Sequence, residues 1–143
     1  MDQATLVRER ITSGEKLIAR LRERGLDITA ACWAKTADDG QWYLYLVSPR
    51  VDTDGRSAVY ETVLETLAKM DTEWANPFER IGPLDVKVLR PSQPLAWGLL
   101  EHYQRFPDTS PTWHSGSVLG TVYIEGAYIY PAAMFAGPQP QSA

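Results

Sequence analysis

The sequence predicts an α+β fold, a mixed sheet built on the 28–48 hairpin with helices packed on it. Three observations carry that expectation. Ile28 to Ser48 holds two apolar runs rich in β-formers around a stretch ending in Asp39-Gly40, and glycine accepts the positive φ that tight β-turns need. Three other stretches repeat their apolar residues at helical spacing. An alternating segment near 84–88 and a β-rich one at 118–130 supply the remaining strands. The order is α-β-β-α-β-α-β(-β). No repeat or composition shift divides it, so residues 1–136 are expected to form one domain.

The first helix spans 3–24, where Val7, Ile11, Leu17, Ile18 and Leu21 fall near the helical period. Gly14 interrupts that stripe, and Thr12-Ser13-Gly14-Glu15 has the form of a capping box. The segment is therefore either one helix or two with a break near 12–14. Gly25 stops it, with Leu26 making the accompanying apolar contact. The hairpin strands follow at 28–36 and 41–48. A two- or four-residue loop sets Trp33 on the face of Leu44 and Leu46, whereas a three-residue loop pairs it with Tyr45. Apolar residues on both faces of both runs mark strands covered on two sides. Pro49 ends the second strand, and Val51 to Gly55 forms a turn.

Ser57 then caps a helix over 58–71, whose apolar face carries Val59, Tyr60, Val63, Leu64, Leu67 and Met70. In the connector at 74–82, Asn76-Pro77 caps a short turn, and Trp74, Phe78 and Ile81 are expected in the core. Leu84, Val86 and Val88 alternate with Asp85 and Lys87 as a strand. A crossover through the helix would set that strand parallel to the second one. Ser92 and Pro94 open a helix over 93–106 lined by Leu95, Leu99, Tyr103 and Phe106. Pro107 to Ser117 reads as a loop holding Trp113 and His114. Val118 to Tyr130 is either a hairpin turning at Glu125-Gly126 or one strand with a glycine bulge. The hairpin would pair Tyr123 with Tyr128 and Val122 with Ile129. The tail 137–143 is polar, lacks an apolar period and is expected to be disordered.

Composition narrows the function. A chain 44% hydrophobic and 22% charged is an ordinary globular protein. A net charge of −4 and a pI near 5.1 lack the basic footprint of a general nucleic-acid binder. Basic residues gather only in the first helix, at Arg8, Arg10, Lys16, Arg20, Arg22 and Arg24, most simply as a solvated face. The single Cys32 excludes an internal disulfide and fits a reducing compartment. No secretory signal pattern is visible, and no apolar run approaches the roughly 20 residues of a membrane span. A cytoplasmic location is expected.

No motif completes a catalytic or metal site. Asp52, Asp54, Gly55 and Glu61 stand at calcium-loop positions, but Arg50 occupies the first ligand position and a strand leads in. His102 and His114 lack metal-site spacing, and neither a metal nor a cofactor is expected. His114 is the best general acid–base candidate, because a loop imidazole titrates near neutrality. Cys32 lies mid-strand, where a thiol is usually buried and inert. There is no G-x-S-x-G elbow, and His114 to Gly120 lacks the spacing and the lysine of a P-loop. Asp38 and Asp39 serve the turn. No Lys or Arg interleaves with Trp97 and Trp113, so core packing accounts for the tryptophans better than base stacking.

The phrases Trp42-Tyr-Leu-Tyr-Leu-Val-Ser-Pro49, Val51-Asp52, Asn76-Pro77-Phe78-Glu79 and Ala127-Tyr-Ile-Tyr-Pro131 resemble a family of small uncharacterised bacterial proteins of similar length. The resemblance spans about residues 14–131. Its phrases are structural and the family has no assigned activity, so it implies no functional residue here. The residues themselves favour a non-enzymatic, cytoplasmic protein-binding or homodimerising module. Tyr and Trp are favoured at interfaces, and Tyr43, Tyr45, Trp113, Tyr128 and Tyr130 are the contact candidates. One rival is a small metal-dependent hydrolase or nuclease-like enzyme using Asp52, Asp54, Glu61 and His114. Another is an anion or nucleic-acid contact through Arg20 and Arg24 of the first helix.

Overall fold

The computed structural model describes residues 8–36, 40–74, 79–108 and 110–135. The expectations for residues 3–7, Asp38-Asp39, Asn76 to Phe78 and the 137–143 tail lie outside them. Helix α1 (Arg8–Glu23) leads into β1 (Ala30–Thr36) and β2 (Trp42–Val47). Helices α2 (Arg50–Asp54) and α3 (Arg56–Lys69) then connect to β3 (Val86–Leu89). Helix α4 (Pro94–Arg105) and the strands β4 (Thr112–Leu119) and β5 (Val122–Ile129) complete the domain. The strands form one mixed sheet in the order β3-β2-β1-β5-β4. Among the described strands, β2 and β3 alone run parallel, as a crossover through α2 and α3 requires.

The hairpin pairs Trp33 with Leu44 and Ala31 with Leu46, the register of an even-numbered loop. Alternation then divides the core. Ala31, Trp33, Leu44 and Leu46 pack under Leu17, Ile18 and Leu21 of α1 and Val59, Val63 and Leu67 of α3. Ala30, Cys32, Ala34, Tyr45 and Val47 pack under Leu95, Ala96 and Leu99 of α4. The sheet is therefore covered on both faces, as its two-sided apolar pattern requires.

Helix α1 runs unbroken through residues 12–14, and the reason is steric. Ser13 and Gly14 are buried. The Ser13 hydroxyl bonds back to the Glu9 carbonyl at 2.7 Å instead of capping a second helix. Gly14 lies over the sheet, where an added Cβ would overlap the Tyr130 hydroxyl. That hydroxyl accepts from Trp33 Nε1 at 3.0 Å and donates to the Ile11 carbonyl at 2.7 Å. The missing side chain thus makes room for a buried hydrogen-bond chain between sheet and helix. Beyond α1, Leu26 N–H bonds to the Leu21 carbonyl and Gly25 N–H to that of Arg22, a Schellman stop.

Four local expectations are corrected. Val51 to Gly55 is not a simple turn, because Arg50–Asp54 closes into a short helix with Val51 buried. Helix α3 starts at Arg56 with Gly55 at its N-cap, so Ser57 does not cap it. Pro83–Asp85 is a 3₁₀ turn, with Gly82 N–H bonded to the Asp85 carboxylate, and the strand begins at Val86. Leu84 consequently stands outside, 87% exposed. The largest correction concerns the second hairpin. Residues 112–117 are strand, not loop, and the turn lies at Gly120-Thr121, with Leu119 opposite Val122. Gly120 has φ +62°, and among the described residues none but glycine has positive φ, the pattern of a type II′ turn. Tyr123 therefore pairs with Val118, and Tyr128 with Trp113. Glu125-Gly126 is instead where β5 shifts register against β1: Lys35 opposes Gly126 and Thr36 opposes Ile124. A strand crossing a glycine irregularity is what this half of the alternative anticipated.

Candidate functional site

The two edges of the sheet are built differently. Strand β3 has four residues, with Lys87 exposed at its middle. Its backbone is closed by a side chain: Tyr60 Oη accepts from Val88 N–H at 2.9 Å and lies 3.4 Å from the Val86 carbonyl. Short length, a lysine and a covered ladder are standard protections against edge-to-edge pairing.

Strand β4 has few of these. It spans eight residues, TWHSGSVL, without charge or proline. Among the described residues, no backbone hydrogen bond from outside the sheet reaches it. Its one protective feature is a kink at Gly116, where φ is +65°. Alternation sends Leu119 toward α4 and Val118 to the other face. There Val118 (59% exposed) stands opposite Tyr123 (52%), and Trp113 (42%) is also exposed. Trp113 packs edge-on against Tyr128, with ring centroids 5.0 Å apart. The chain has no Asp, Glu, Lys or Arg from Thr109 to Ile124. That charge gap was the signal in the sequence that could have located the edge; Val118 and the closing role of Tyr60 were missed.

On the α4 side of the same strand, His114 meets His102, with ring centroids 5.7 Å apart and planes at 72°. His102 Nε2 lies 3.2 Å from Thr112 Oγ1, and His114 Nδ1 lies 3.1 Å from Ser117 Oγ. His114 Nε2 is buried and has no hydrogen-bond partner among the described residues. Burial lowers the pKa of both imidazoles. His114 depresses His102 further, and Asp108 opposes that shift.

The remaining candidates are dispersed. Asp54 pairs with Arg50 at 2.8 Å and Asp52 with Arg90 at 3.4 Å, while Glu61 is exposed on α3. These three sit by β2 and β3, whereas His114 is on β4 at the opposite end of the strand order. Among the described residues no three His, Cys, Asp or Glu side chains are placed to hold a metal ion. Tyr45, Tyr128 and Tyr130 are buried, so they serve the core and offer no contact surface; Tyr43 is half-buried under Lys87, whose Nζ lies 4.3 Å from the ring centroid. Arg20 makes a bidentate bridge to Glu73 at 2.5 and 2.6 Å, and Arg24 bonds Glu65 at 3.0 Å. Both candidate cations, Arg20 and Arg24, are thus already matched by carboxylates. Cys32 is fully buried and its thiol pKa is pushed up by desolvation, which suppresses thiolate chemistry. No described helix is long and apolar enough to cross a membrane. What the arrangement offers is an unprotected strand with apolar side chains on one face and a histidine pair on the other. No family model, curated protein or solved structure matches this chain.

Proposed function

We propose that this domain is a non-enzymatic module that works by self-association, a second copy adding its β4 antiparallel along the open edge. The observation that carries this is the contrast between the edges: Tyr60 and Lys87 guard β3, while β4 presents an uncharged eight-residue ladder beside Val118, Tyr123 and Trp113. The strand is also complementary to itself. A two-fold axis between Ser115 and Gly116 sets Trp113 against the partner's Val118 on one face and His114 against the partner's Ser117 on the other. No like charges meet in that register, because the strand has none. An isologous contact of this kind closes into a dimer instead of propagating. The single, buried cysteine supports a cytoplasmic setting, where thiols stay reduced.

Sedimentation equilibrium of the wild type and Val118→Lys tests the proposal. A lysine at a site this exposed should change stability by no more than about 0.5 kcal/mol, yet it places two cations at the paired edge. The wild type is expected to be a dimer and the variant a folded monomer, their melting temperatures agreeing when both are diluted until the wild type dissociates. A wild type still monomeric at roughly 1 mM, where association contributes less than about 4 kcal/mol, removes the proposal. A lysine variant that dimerises as tightly as the wild type moves the interface elsewhere.

A further inference from the structure

The histidine pair joins α4 to the proposed pairing strand at two points. His102, on α4, reaches Thr112 at the start of β4. His114 reaches Ser117 across the kink at Gly116, where φ is +65°. In a regular strand, residues three apart point to opposite faces; here the kink turns both toward α4, and the 3.1 Å contact between them braces it. The brace lies at the centre of the self-complementary register.

A neutral imidazole needs one donor and one acceptor partner, whereas a protonated one carries two N–H donors. His114 has only Ser117 to satisfy, because its Nε2 is buried without a partner. A proton on each ring would put two cations within 5.7 Å of centroid separation. Of the elements packed around the pair, β4 itself supplies no charge, β5 supplies Glu125, α4 supplies Glu101 and Arg105, and the α4–β4 connector supplies Asp108. Only Asp108 acts to favour the proton on His102.

We infer that His102 and His114 form a pH-sensitive latch, holding β4 in its pairing shape while both imidazoles are neutral and releasing the edge when they are protonated. The consequence for assembly rests on the self-association proposed above; the latch between α4 and β4 does not. Folding holds both pKa values below the ordinary imidazole value, by desolvation first. The released strand therefore binds more protons than the latched one. The stabilisation is complete above about pH 6.5 and is lost as the pH falls below it. Pairing buries the same face further, so acid opposes the dimer as well as the latch.

Sedimentation velocity between about pH 7.5 and about pH 5.5, on either side of the ordinary imidazole value, tests this with the wild type and the double variant His102→Gln/His114→Gln. The wild-type dimer should weaken roughly tenfold over that span, and the variant should not. A wild-type dissociation constant unchanged within about twofold, or an equal pH response in the variant, overturns the latch and leaves the self-association standing. Should the wild type be monomeric at pH 7.5, self-association fails and amide exchange of the monomer decides the latch. Loss of protection confined to residues 112–119 at low pH supports it, and uniform protection overturns it. If the double variant does not fold, imidazole NMR of the wild type takes its place: two titrations below the ordinary value support the latch, and ordinary ones remove it.

Discussion

Replacing Gly14 by alanine tests the buried contact that seats α1, and its magnitude follows from what the extra methyl would meet. A Cβ there would overlap the Tyr130 hydroxyl and stand 3.0 Å from Trp33 Nε1 and 3.1 Å from Tyr130 Cζ. Both rings are fully buried, so neither can swing into water. Either α1 lifts or Tyr130 withdraws, and both movements strain the 3.0 Å bond from Trp33 and the 2.7 Å bond to Ile11. Overpacking costs about 1–3 kcal/mol and each weakened neutral hydrogen bond about 1 kcal/mol. Against this, exchanging Gly for Ala in a helix gains about 1 kcal/mol. The expected net loss is about 2–4 kcal/mol.

Tyr130→Phe alone leaves the Trp33 N–H buried without an acceptor, at a cost of about 1–3 kcal/mol. In the doubly substituted protein the methyl meets no hydroxyl and the bonds are already gone. That variant should be more stable than the sum of the single losses by about 1–3 kcal/mol. Urea unfolding of the four proteins, followed by circular dichroism, measures the cycle. Losses that add within about 0.5 kcal/mol would refute the steric account of Gly14.

Tyr60→Phe should cost about 1–2 kcal/mol through the lost partner of Val88 N–H. By opening β3 as a second edge, it should also produce species larger than the wild type on size exclusion; unchanged stability and size would show that the hydroxyl does not guard that strand. Cys32 is fully buried with its thiol pKa raised. It should be silent to a disulfide reagent in the native protein and react at the rate of unfolding as urea is added. Fast native reaction would place the α4 layer in rapid opening.

The first half of the fold was legible because it is local. Alternation through Trp33, Leu44 and Leu46 sets two strand faces whatever surrounds them, and the Gly25 stop acts within six residues of its own helix. The second hairpin was not, because Glu125-Gly126 and Gly120-Thr121 are both credible turns by composition. Pairing decided between them. Placing the turn at 120–121 lets Trp113 lie on Tyr128 and puts Leu119, Ile124, Ala127 and Ile129 under α4, burial that an isolated stretch of sequence cannot express. Gly14 misled for the same reason: by propensity a glycine in a helix signals a break, and only the Tyr130 hydroxyl beneath it explains why it belongs there.

The amino-acid sequence by itself determined the α+β class, the hairpin and its two-sided burial, since these follow from residue periodicity and the solvation of side chains. The tertiary structure decided which strand stands at an edge, and edges are defined by what is absent on one side. Trp113 and His114 look alike in either setting along the chain. Only the β3-β2-β1-β5-β4 order leaves one side of their strand without a neighbour among the described residues and sets an imidazole of α4 beside it.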